Sequence, residues 1–201
     1  MGRGGYTLSN GHTRQCLLIA VYLTYLSIQN NSQCDTVYLY FDPYKKYYGA
    51  LKQLGAPIDV ITGEKDFSKY PVMIARSYQL LDASLIKRWK QYLQNGGHLI
   101  LTSRTAQKHR NGKLLEMQWA QPVYDLIGAK ILFYDLLPDS VQRTIRFGNT
   151  SYKSNNWGDV LQVNAGTEVW ATYTSRFYSG KAAVVHRKLG KGTVTFCWSE
   201  C

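Results

Sequence analysis

Short apolar runs separated by polar turns dominate the first hundred residues of the chain. Four of these runs are brief and continuous, which is the pattern of buried strands. They lie at residues 17–23, 58–61, 72–75 and 98–102. Ahead of the first run, residues 1–15 are Gly-rich and polar without periodicity, so we expect them to be disordered.

A helical period follows the first run. Between residues 36 and 54, tyrosine and leucine side chains recur at three- and four-residue steps, which predicts a helix. Pro43 must lie within its first two turns or bend it. Gly55 suits the left-handed position after a helix end, and the strand at 58–61 comes next.

A second helix is marked at both of its ends. Asp82 is a preferred N-cap residue, and Leu81 and Ile86 are placed for a hydrophobic staple. Trp89 lies on the apolar face that follows, and the run 95–97 (NGG) ends the helix. The order strand, helix, strand predicts a right-handed crossover and a parallel sheet.

The second half of the chain is rich in short β segments. After a polar loop at 103–113, a helix is expected around residues 119–127, ending at Gly128. A tight turn at 190–192 (GKG) predicts a hairpin. The β segments are predicted at 130–133, 141–147, 168–173, 182–187 and 193–198. The pattern as a whole predicts an α/β fold in which a parallel sheet carries a β-rich C-terminal extension.

The charge of the chain is strongly basic. Lysine and arginine outnumber aspartate and glutamate by 24 to 13, a formal net charge of +11. The basic residues are scattered in ones and twos and form no nucleic-acid-binding signature. We therefore expect a basic solvated surface, or one that faces an acidic neighbouring domain, and no nucleic-acid partner.

The cysteines do not define a disulfide framework or a zinc site. They are Cys16, Cys34, Cys197 and Cys201. The apolar run 16–28 follows a weakly basic start and has the alternative reading of a signal-peptide core. It is too short to span a membrane, so we interpret it as a buried first strand and expect a cytoplasmic protein without a membrane partner.

A search for catalytic residues finds no complete site. The chain has four glutamates, on separate predicted elements, at Glu64, Glu116, Glu168 and Glu200. A glycosidase needs two carboxylates that face each other across the scissile bond. No phosphate-binding loop, dinucleotide fingerprint or metal-ligand cluster occurs, so no cofactor or metal is predicted.

One serine occupies the position of a nucleophile in an α/β fold. Ser103 directly follows the predicted strand 98–102, but it lacks the flanking glycines of a nucleophile elbow. His98, His109 and His186 are the available bases, and none lies in a recognisable motif.

Aromatic residues are abundant, with 16 tyrosines and 5 tryptophans. Many of these aromatic residues recur at the spacing expected of residues that face the core. Four others have polar, loop-like surroundings and are better candidates for an interface or a sugar contact than for the core. They are Trp157, Tyr173, Phe177 and Tyr178.

Several segments, taken in order, resemble the middle domain of the family 42 glycoside hydrolases, which are β-galactosidases. They are YYGALKQLGAPIDVI (47–61), VMIARSYQLLD (72–82), NGGHLILTSRT (95–105) and WATYTSRFYSGKAAVVHRKLGKGTVTFCW (170–198). The resemblance covers residues 36–198. Its most specific elements are LG-x-P-x-D-V and the ending F-Y-x-G-x-x-A-V followed by G-K-G-x-V.

The resemblance implies a fold and a function. In that family the domain resembles a class I glutamine amidotransferase without its triad, which is a three-layer, flavodoxin-like parallel sheet flanked by helices. The domain mediates trimer formation, and the catalytic glutamate pair lies on a separate (β/α)8 barrel. No catalytic residue is therefore carried over to this chain, and the expected partners are further copies of itself or a catalytic barrel that acts on β-galactosides.

These observations favour a non-catalytic assembly domain at residues 36–201, preceded by an atypical segment at 1–35. Two other hypotheses stay open at this point. One is a divergent amidotransferase-like hydrolase that uses Ser103. The other is a carbohydrate- or polyanion-binding module that uses Trp157 and Tyr178 together with the positive charge.

Overall fold

The computed structural model describes residues 19–22, 41–55, 57–109, 111–138 and 140–198. Its helices are α1 (Phe41–Gln53), α2 (Ala83–Gln94) and α3 (Tyr124–Ile127), the last preceded by a 3-10 turn at Gln121–Val123. Its strands are β1 (Ile19–Tyr22), β2 (Ile58–Ile61), β3 (Val72–Ala75), β4 (His98–Thr102), β5 (Ala129–Leu137), β6 (Arg143–Phe147), β7 (Thr150–Ser154), β8 (Asn156–Val163), β9 (Glu168–Tyr173), β10 (Ala182–Leu189) and β11 (Gly192–Cys197). The predictions for residues 1–15, Cys16, Cys34, Glu200 and Cys201 lie outside the described residues.

The eleven strands of the described residues belong to one mixed sheet. Its first part has the order β2-β1-β3-β4-β11, and every neighbouring pair in it is parallel. From β11 the sheet continues through β10, β9, β6 and β7, and these pairs are antiparallel. Strand β8 pairs with both β10 and β5, so the sheet branches there.

The predicted three-layer parallel sheet flanked by helices, of the flavodoxin-like or amidotransferase-like type, is wrong. Strands account for 42% of the structure, more than its three helices do, and within the described residues these strands form a curled, mixed sheet. The connections explain why. Only two residues join β6 to β7 and β10 to β11, whereas a parallel crossover needs a dozen or more. The β-rich C-terminal half is also not an extension, because β11 pairs directly with β4.

The β4–β11 pair joins the two halves of the sheet. Thr193 lies opposite His98 and Cys197 lies opposite Thr102, across 95 residues of sequence. Gly190 has φ +65° and opens the turn that returns the chain into β11. At Gly192 the backbone lies directly against the carbonyl oxygens of Leu93 and Gly97, where a side chain has no room.

Helix α2 has the ends that the sequence predicts. The Asp82 side chain accepts a hydrogen bond from the Leu85 N–H at 2.7 Å, which confirms the N-cap. The helix ends at the Asn95–Gly97 run, with Gly96 at φ +104°. Trp89 is fully buried on its inner face. The third helix ends at Gly128, which has φ +66°, as predicted.

Two main clusters of buried side chains lie against the sheet. The larger one packs α2 and α3 against β3, β4, β10 and β11, and Trp89, Leu99 and Phe196 lie within it. The second joins β6, β8, β9 and β10 around Ile145 and Tyr173. A smaller group packs Tyr47 and Leu51 of α1 around Ile74.

A buried polar network supports the antiparallel half. Arg143 is fully buried, and its Nη2 donates to the carbonyl oxygens of Asp135, at 3.1 Å, and Asn156. The Tyr173 hydroxyl donates to the Asp159 carbonyl at 2.8 Å. Burial raises the pKa of the Asp159 carboxyl to about 7, although the Trp157 indole N–H, the Arg104 backbone N–H and the nearby guanidinium groups favour its charged form.

The close approach at Gly192 gives a first prediction. Gly192→Ala places a methyl group against two backbone carbonyls, which are fixed by the surrounding structure. We therefore expect the free energy of unfolding to fall by at least about 1–3 kcal/mol. Gly49→Ala is the matched control, because no atom lies within 4 Å of its new methyl group. Gly49 lies within helix α1, where alanine loses less backbone entropy than glycine, so this change should stabilise the fold by about 0.5–1 kcal/mol. Denaturant titration at one protein concentration measures both, and equal effects would contradict the packing argument.

The burial of Asp159 gives a second prediction. In the unfolded chain an aspartate releases its proton near pH 3.9, whereas in the folded chain Asp159 holds it to about pH 7. The folded state therefore binds the extra proton between these values, and its stability falls as the pH rises through this window. Asp159→Asn removes this titrating carboxyl. The free energy of unfolding of the variant, relative to that of the natural chain, should therefore increase from pH 5 to pH 8.

Denaturant titrations at several pH values test this, with the exposed Glu116→Gln as control. Because the comparison is a difference between variant and natural chain, other groups that titrate in the same window cancel. A stability difference that does not change with pH would contradict the buried, protonated carboxyl.

Candidate functional site

Strand β5 presents a row of exposed apolar side chains. Leu132, Phe133, Tyr134 and Leu136 are between 37% and 60% exposed. Within the described residues β5 pairs with β8 alone, so no strand lies along its other edge. A long, apolar edge strand of this kind is a site for contact with another chain.

Aromatic rings extend this row on both sides. The Tyr134 ring stacks on Trp119 and Trp157, with ring centroids 4.4 and 4.3 Å apart. The Arg104 guanidinium lies 5.2 Å from the centre of the Trp157 ring. The Phe133 ring stacks on Phe177 at 5.6 Å. Tyr134 and Leu136 lie on one face of β5 with Trp157, whereas Phe133 lies on the other face with Phe177, because successive residues of a strand point to opposite faces. We call the set Leu132, Phe133, Tyr134, Leu136 and Phe177, which spans both faces of this edge strand, the β5 surface.

The arginine beside this surface keeps an unusual backbone. Arg104 has φ +67° and is the second residue after β4, and its side chain reaches across to Trp157 on β8. Burial lowers the pKa of its guanidinium, and the Asp159 carboxyl acts in the opposite direction. The contact ties the carboxyl end of the parallel strands to the aromatic rings of the β5 surface.

The four aromatic residues singled out from the sequence separate into two pairs. Phe177 is 80% exposed and Trp157 is half-buried, and both touch the rings of the β5 surface. Tyr173 and Tyr178 instead belong to the core, with 0% and 2% exposure, which corrects the expectation that they are interface rather than core residues. Whether Phe177 and Trp157 contact a partner or a sugar stays a prediction.

Hydrogen bonds explain why the two tyrosines are buried in a polar segment. The Tyr178 hydroxyl donates to the Asp135 carboxylate and the Tyr173 hydroxyl to the Asp159 carbonyl. Burial, followed by the Asp135 bond, raises the pKa of Tyr178 to about 12. A buried tyrosine can therefore occur in a polar segment when its hydroxyl has a hydrogen-bond partner in the fold.

Ser103 lies at the end of β4 but is fully buried. Its backbone N–H donates to the Cys197 carbonyl at 3.0 Å, and its hydroxyl has no hydrogen-bond partner among the described residues. His98 and His186 bond to Thr193 and Thr195 respectively. Since neither of these histidines bonds to the serine and no solvent reaches it, this geometry does not activate a nucleophile.

The other candidate groups also lie apart. Glu64, Glu116 and Glu168 are exposed, on a turn, a loop and a strand. In the part of the chain that the structure describes, no three His, Cys, Asp or Glu side chains are grouped to hold a metal ion. No helix among the described residues is long and apolar enough to cross a membrane.

A second exposed aromatic surface was not found from the sequence. Trp170 on β9 stacks on His186 at 3.9 Å and packs edge-on against Phe147 at 6.3 Å. Its indole N–H donates to the Glu168 carboxylate at 3.0 Å. Burial lowers the pKa of His186, while Glu168 raises it. We call Phe147, Glu168, Trp170 and His186 the β9 surface.

The sequence signal for the β9 surface was ambiguous. Val169 and Trp170 are adjacent apolar residues of one strand, so a period of two predicts that one of them is buried. In the structure both are exposed, by 45% and 39%. The pairing of β9 with β10 also contains register shifts, and these change the direction of side chains locally.

Comparison with known proteins identifies one family over most of the chain. The profile of the β-galactosidase trimerisation domain matches residues 24–200. The β-galactosidase BgaA of Clostridium cellulovorans is 31% identical over 157 residues, which are 78% of this chain and 24% of that enzyme. The β-galactosidase BgaH of Haloferax lucentense is 27% identical over 158 residues, 79% of this chain and 24% of that enzyme.

Solved structures agree with the sequence comparison. A catalytic mutant of Gan42B, a β-galactosidase from G. stearothermophilus, superposes with a TM-score of 0.82 at 22% identity, over 92% of this chain and 27% of that one. The β-galactosidase of the haloarchaeon Halorubrum lacusprofundi gives 0.79 at 27% identity, over 90% and 27%. The chain thus spans about a quarter of the length of the curated relatives it matches. It belongs to the β-galactosidase trimerisation domain family.

Proposed function

We propose that this chain is a non-catalytic assembly domain that associates with two further copies of itself, as part of a β-galactosidase-type enzyme. The observation that carries the proposal is the family match over residues 24–200. The matched region is 24% of each of these two relatives, so cleavage of β-galactosides is assigned to the parts of such an enzyme that lie beyond this region.

The exposed apolar side chains support an assembly role. Leu136 and Phe177 are 60% and 80% exposed on the β5 surface, and burying such side chains against a partner stabilises an assembly by about 25 cal/mol per Å² of apolar surface. Its rings are also held in place before binding, because Phe133 stacks on Phe177 and Tyr134 stacks on Trp119 and Trp157. A rigid surface loses little conformational entropy on association.

The interior of the domain supports a non-catalytic role. Ser103 is buried without a base, and the described glutamates lie on separate elements. The scattered positive charge supports a solvated surface rather than a nucleic-acid partner. A cytoplasmic location stays a prediction from the sequence.

Sedimentation velocity over a range of concentrations tests the proposal. The chain should reach a mass about three times its own 22.9 kDa and dissociate on dilution. Each copy carries a net charge of +11, so added salt screens the repulsion between copies and should increase the trimeric fraction. A chain that stays monomeric throughout would contradict the assembly role.

An assay with a chromogenic β-galactoside tests the second half of the proposal. The isolated chain should release no chromophore under conditions in which a complete β-galactosidase of the family does. Turnover by the purified chain that persists in Ser103→Ala would assign catalysis to other residues of this domain, and turnover that Ser103→Ala abolishes would restore the hydrolase hypothesis.

A further inference from the structure

Three aromatic rings lie together on one face of the edge strand β5. Tyr134 belongs to β5, Trp157 to the paired strand β8, and Trp119 to the segment just before the 3-10 turn. The three ring planes are within 6° of parallel. The ring centroid of Tyr134 is 4.4 Å from that of Trp119 and 4.3 Å from that of Trp157, and the two indoles are 5.3 Å apart. We call these three residues the Tyr134 platform.

These distances show that no ring of the platform is enclosed by the other two. Stacked carbon atoms lie about 3.5 Å apart, so the outer rings of a three-layer stack would be separated by about 7 Å or more. All three distances are shorter than this. Each ring therefore keeps one face that the other two do not cover. Tyr134 is 44% exposed, more than either indole, so its ring presents the most accessible open face.

Contacts with buried groups hold the platform in place. The Trp157 indole N–H donates to the carboxyl of Asp159, which is 1% exposed, at 2.9 Å. The Arg104 guanidinium lies 5.2 Å from the centre of the Trp157 ring. Within the described residues no strand lies along the outer edge of β5, so a ligand reaches Tyr134 without displacing one. Binding at this ring therefore requires little rearrangement.

The chemistry of the platform favours the ring of a sugar. The face of an aromatic ring carries partial negative charge, and a pyranose presents a face of C–H groups that complements it. The hydroxyl groups at the edge of the same pyranose need hydrogen-bond partners. Two polar side chains accompany the indoles: the Arg104 guanidinium beside Trp157, and Gln118, which is exposed and precedes Trp119 in the chain.

An apolar protein partner suits this face less well than a sugar does. Such a partner would remove the Tyr134 hydroxyl and the Arg104 guanidinium from water without offering hydrogen bonds, which costs free energy. A sugar stacks on the ring and still offers hydroxyl groups to its surroundings. The purely apolar pair Phe133 and Phe177, which suits a protein contact, lies on the opposite face of β5.

We propose that the Tyr134 platform binds one pyranose unit of a saccharide, with the C–H face of the sugar against the Tyr134 ring. The site goes beyond the proposed assembly and does not depend on it, because all of its residues belong to one copy. Only the choice of lactose as the probe rests on the proposed function, since lactose is a β-galactoside.

Saturation-transfer NMR with lactose tests the site on the folded chain. Irradiation of the protein should transfer saturation mainly to the C–H protons on one face of a pyranose ring. The transfer should saturate with a dissociation constant on the order of 1 mM, because one ring face and few hydrogen bonds contribute. Galactitol is the matched probe, since it carries the hydroxyl groups of galactose without a closed ring, and it should give no saturable transfer.

Variants of Tyr134 separate stacking from other contacts. Tyr134→Ala removes the ring, and Tyr134→Leu keeps an apolar side chain without an aromatic face, so each should weaken lactose binding about tenfold or more. Tyr134→Phe keeps the ring and should bind within about threefold of the natural chain. Phe133→Ala is the matched control, because it removes a ring that is 37% exposed on the opposite face of β5, and it should bind lactose normally. Circular dichroism checks the fold of each variant.

Contrary results each overturn the proposal. An absence of saturable transfer from lactose shows that the platform binds no sugar, and loss of assembly in Tyr134→Ala would then assign this face to a protein contact. Galactitol that binds as tightly as lactose shows that no pyranose face is recognised. A folded Tyr134→Leu variant that binds like the natural chain shows that Tyr134 is not the stacking ring.

Sedimentation of the same samples measures the proposed trimer separately. A monomeric chain that binds lactose through Tyr134 supports this site and contradicts the assembly role. A trimeric chain that does not bind lactose does the reverse.

Discussion

The parallel pairing of β4 with β11 is the constraint on which the rest of the structure depends. It brings the last described strand into the middle of the sheet, with Thr193 opposite His98. From that position β10 and β9 can only follow as antiparallel neighbours, because their turns are short. The pairing requires Gly192, since a side chain there would meet the carbonyl oxygens of Leu93 and Gly97.

The same pairing accounts for the closed end of the parallel strands. In open α/β sheets, ligands bind in the crevice beyond the carboxyl ends of the strands. Here that position is covered by the chain itself, because the Ser103 N–H donates to the Cys197 carbonyl and Arg104 reaches Trp157. Ser103 is therefore buried rather than presented to a substrate. The exposed aromatic side chains described above lie instead on and around strands β5 and β9.

Local signals in the sequence predicted local structure well. The Asp82 cap, the stop at Asn95–Gly97 and the end of α3 at Gly128 are each set by the conformational preference of one or two residues. Strand β8 was missed because it contains Gly158 and Asp159, which are rare in strands. Gly158 leaves the space that the Arg143 guanidinium fills, and the Asp159 carboxyl interacts electrostatically with that guanidinium, which only the folded chain brings near.

The sheet class and the contact surfaces could not be predicted in the same way, because both depend on distant pairings. The crossover over β3, α2 and β4 predicted a parallel sheet, and those two strands are parallel. No local signal showed that β11 would extend this part and reverse the pairing beyond it. Tyr178 likewise has the sequence surroundings of a surface residue. Its burial depends on a hydrogen bond to Asp135, which is 43 residues away in the sequence.

A continuous sheet also gives assembly a geometric advantage. Strands β5 and β9 are connected through β8 and β10 by backbone hydrogen bonds, so their relative position is set by strand register rather than by flexible loops. If the domain forms the proposed trimer, this fixed arrangement would give every copy the same contact geometry. A closed three-fold ring requires that sameness, because contacts whose angle varied would produce open chains of indefinite length.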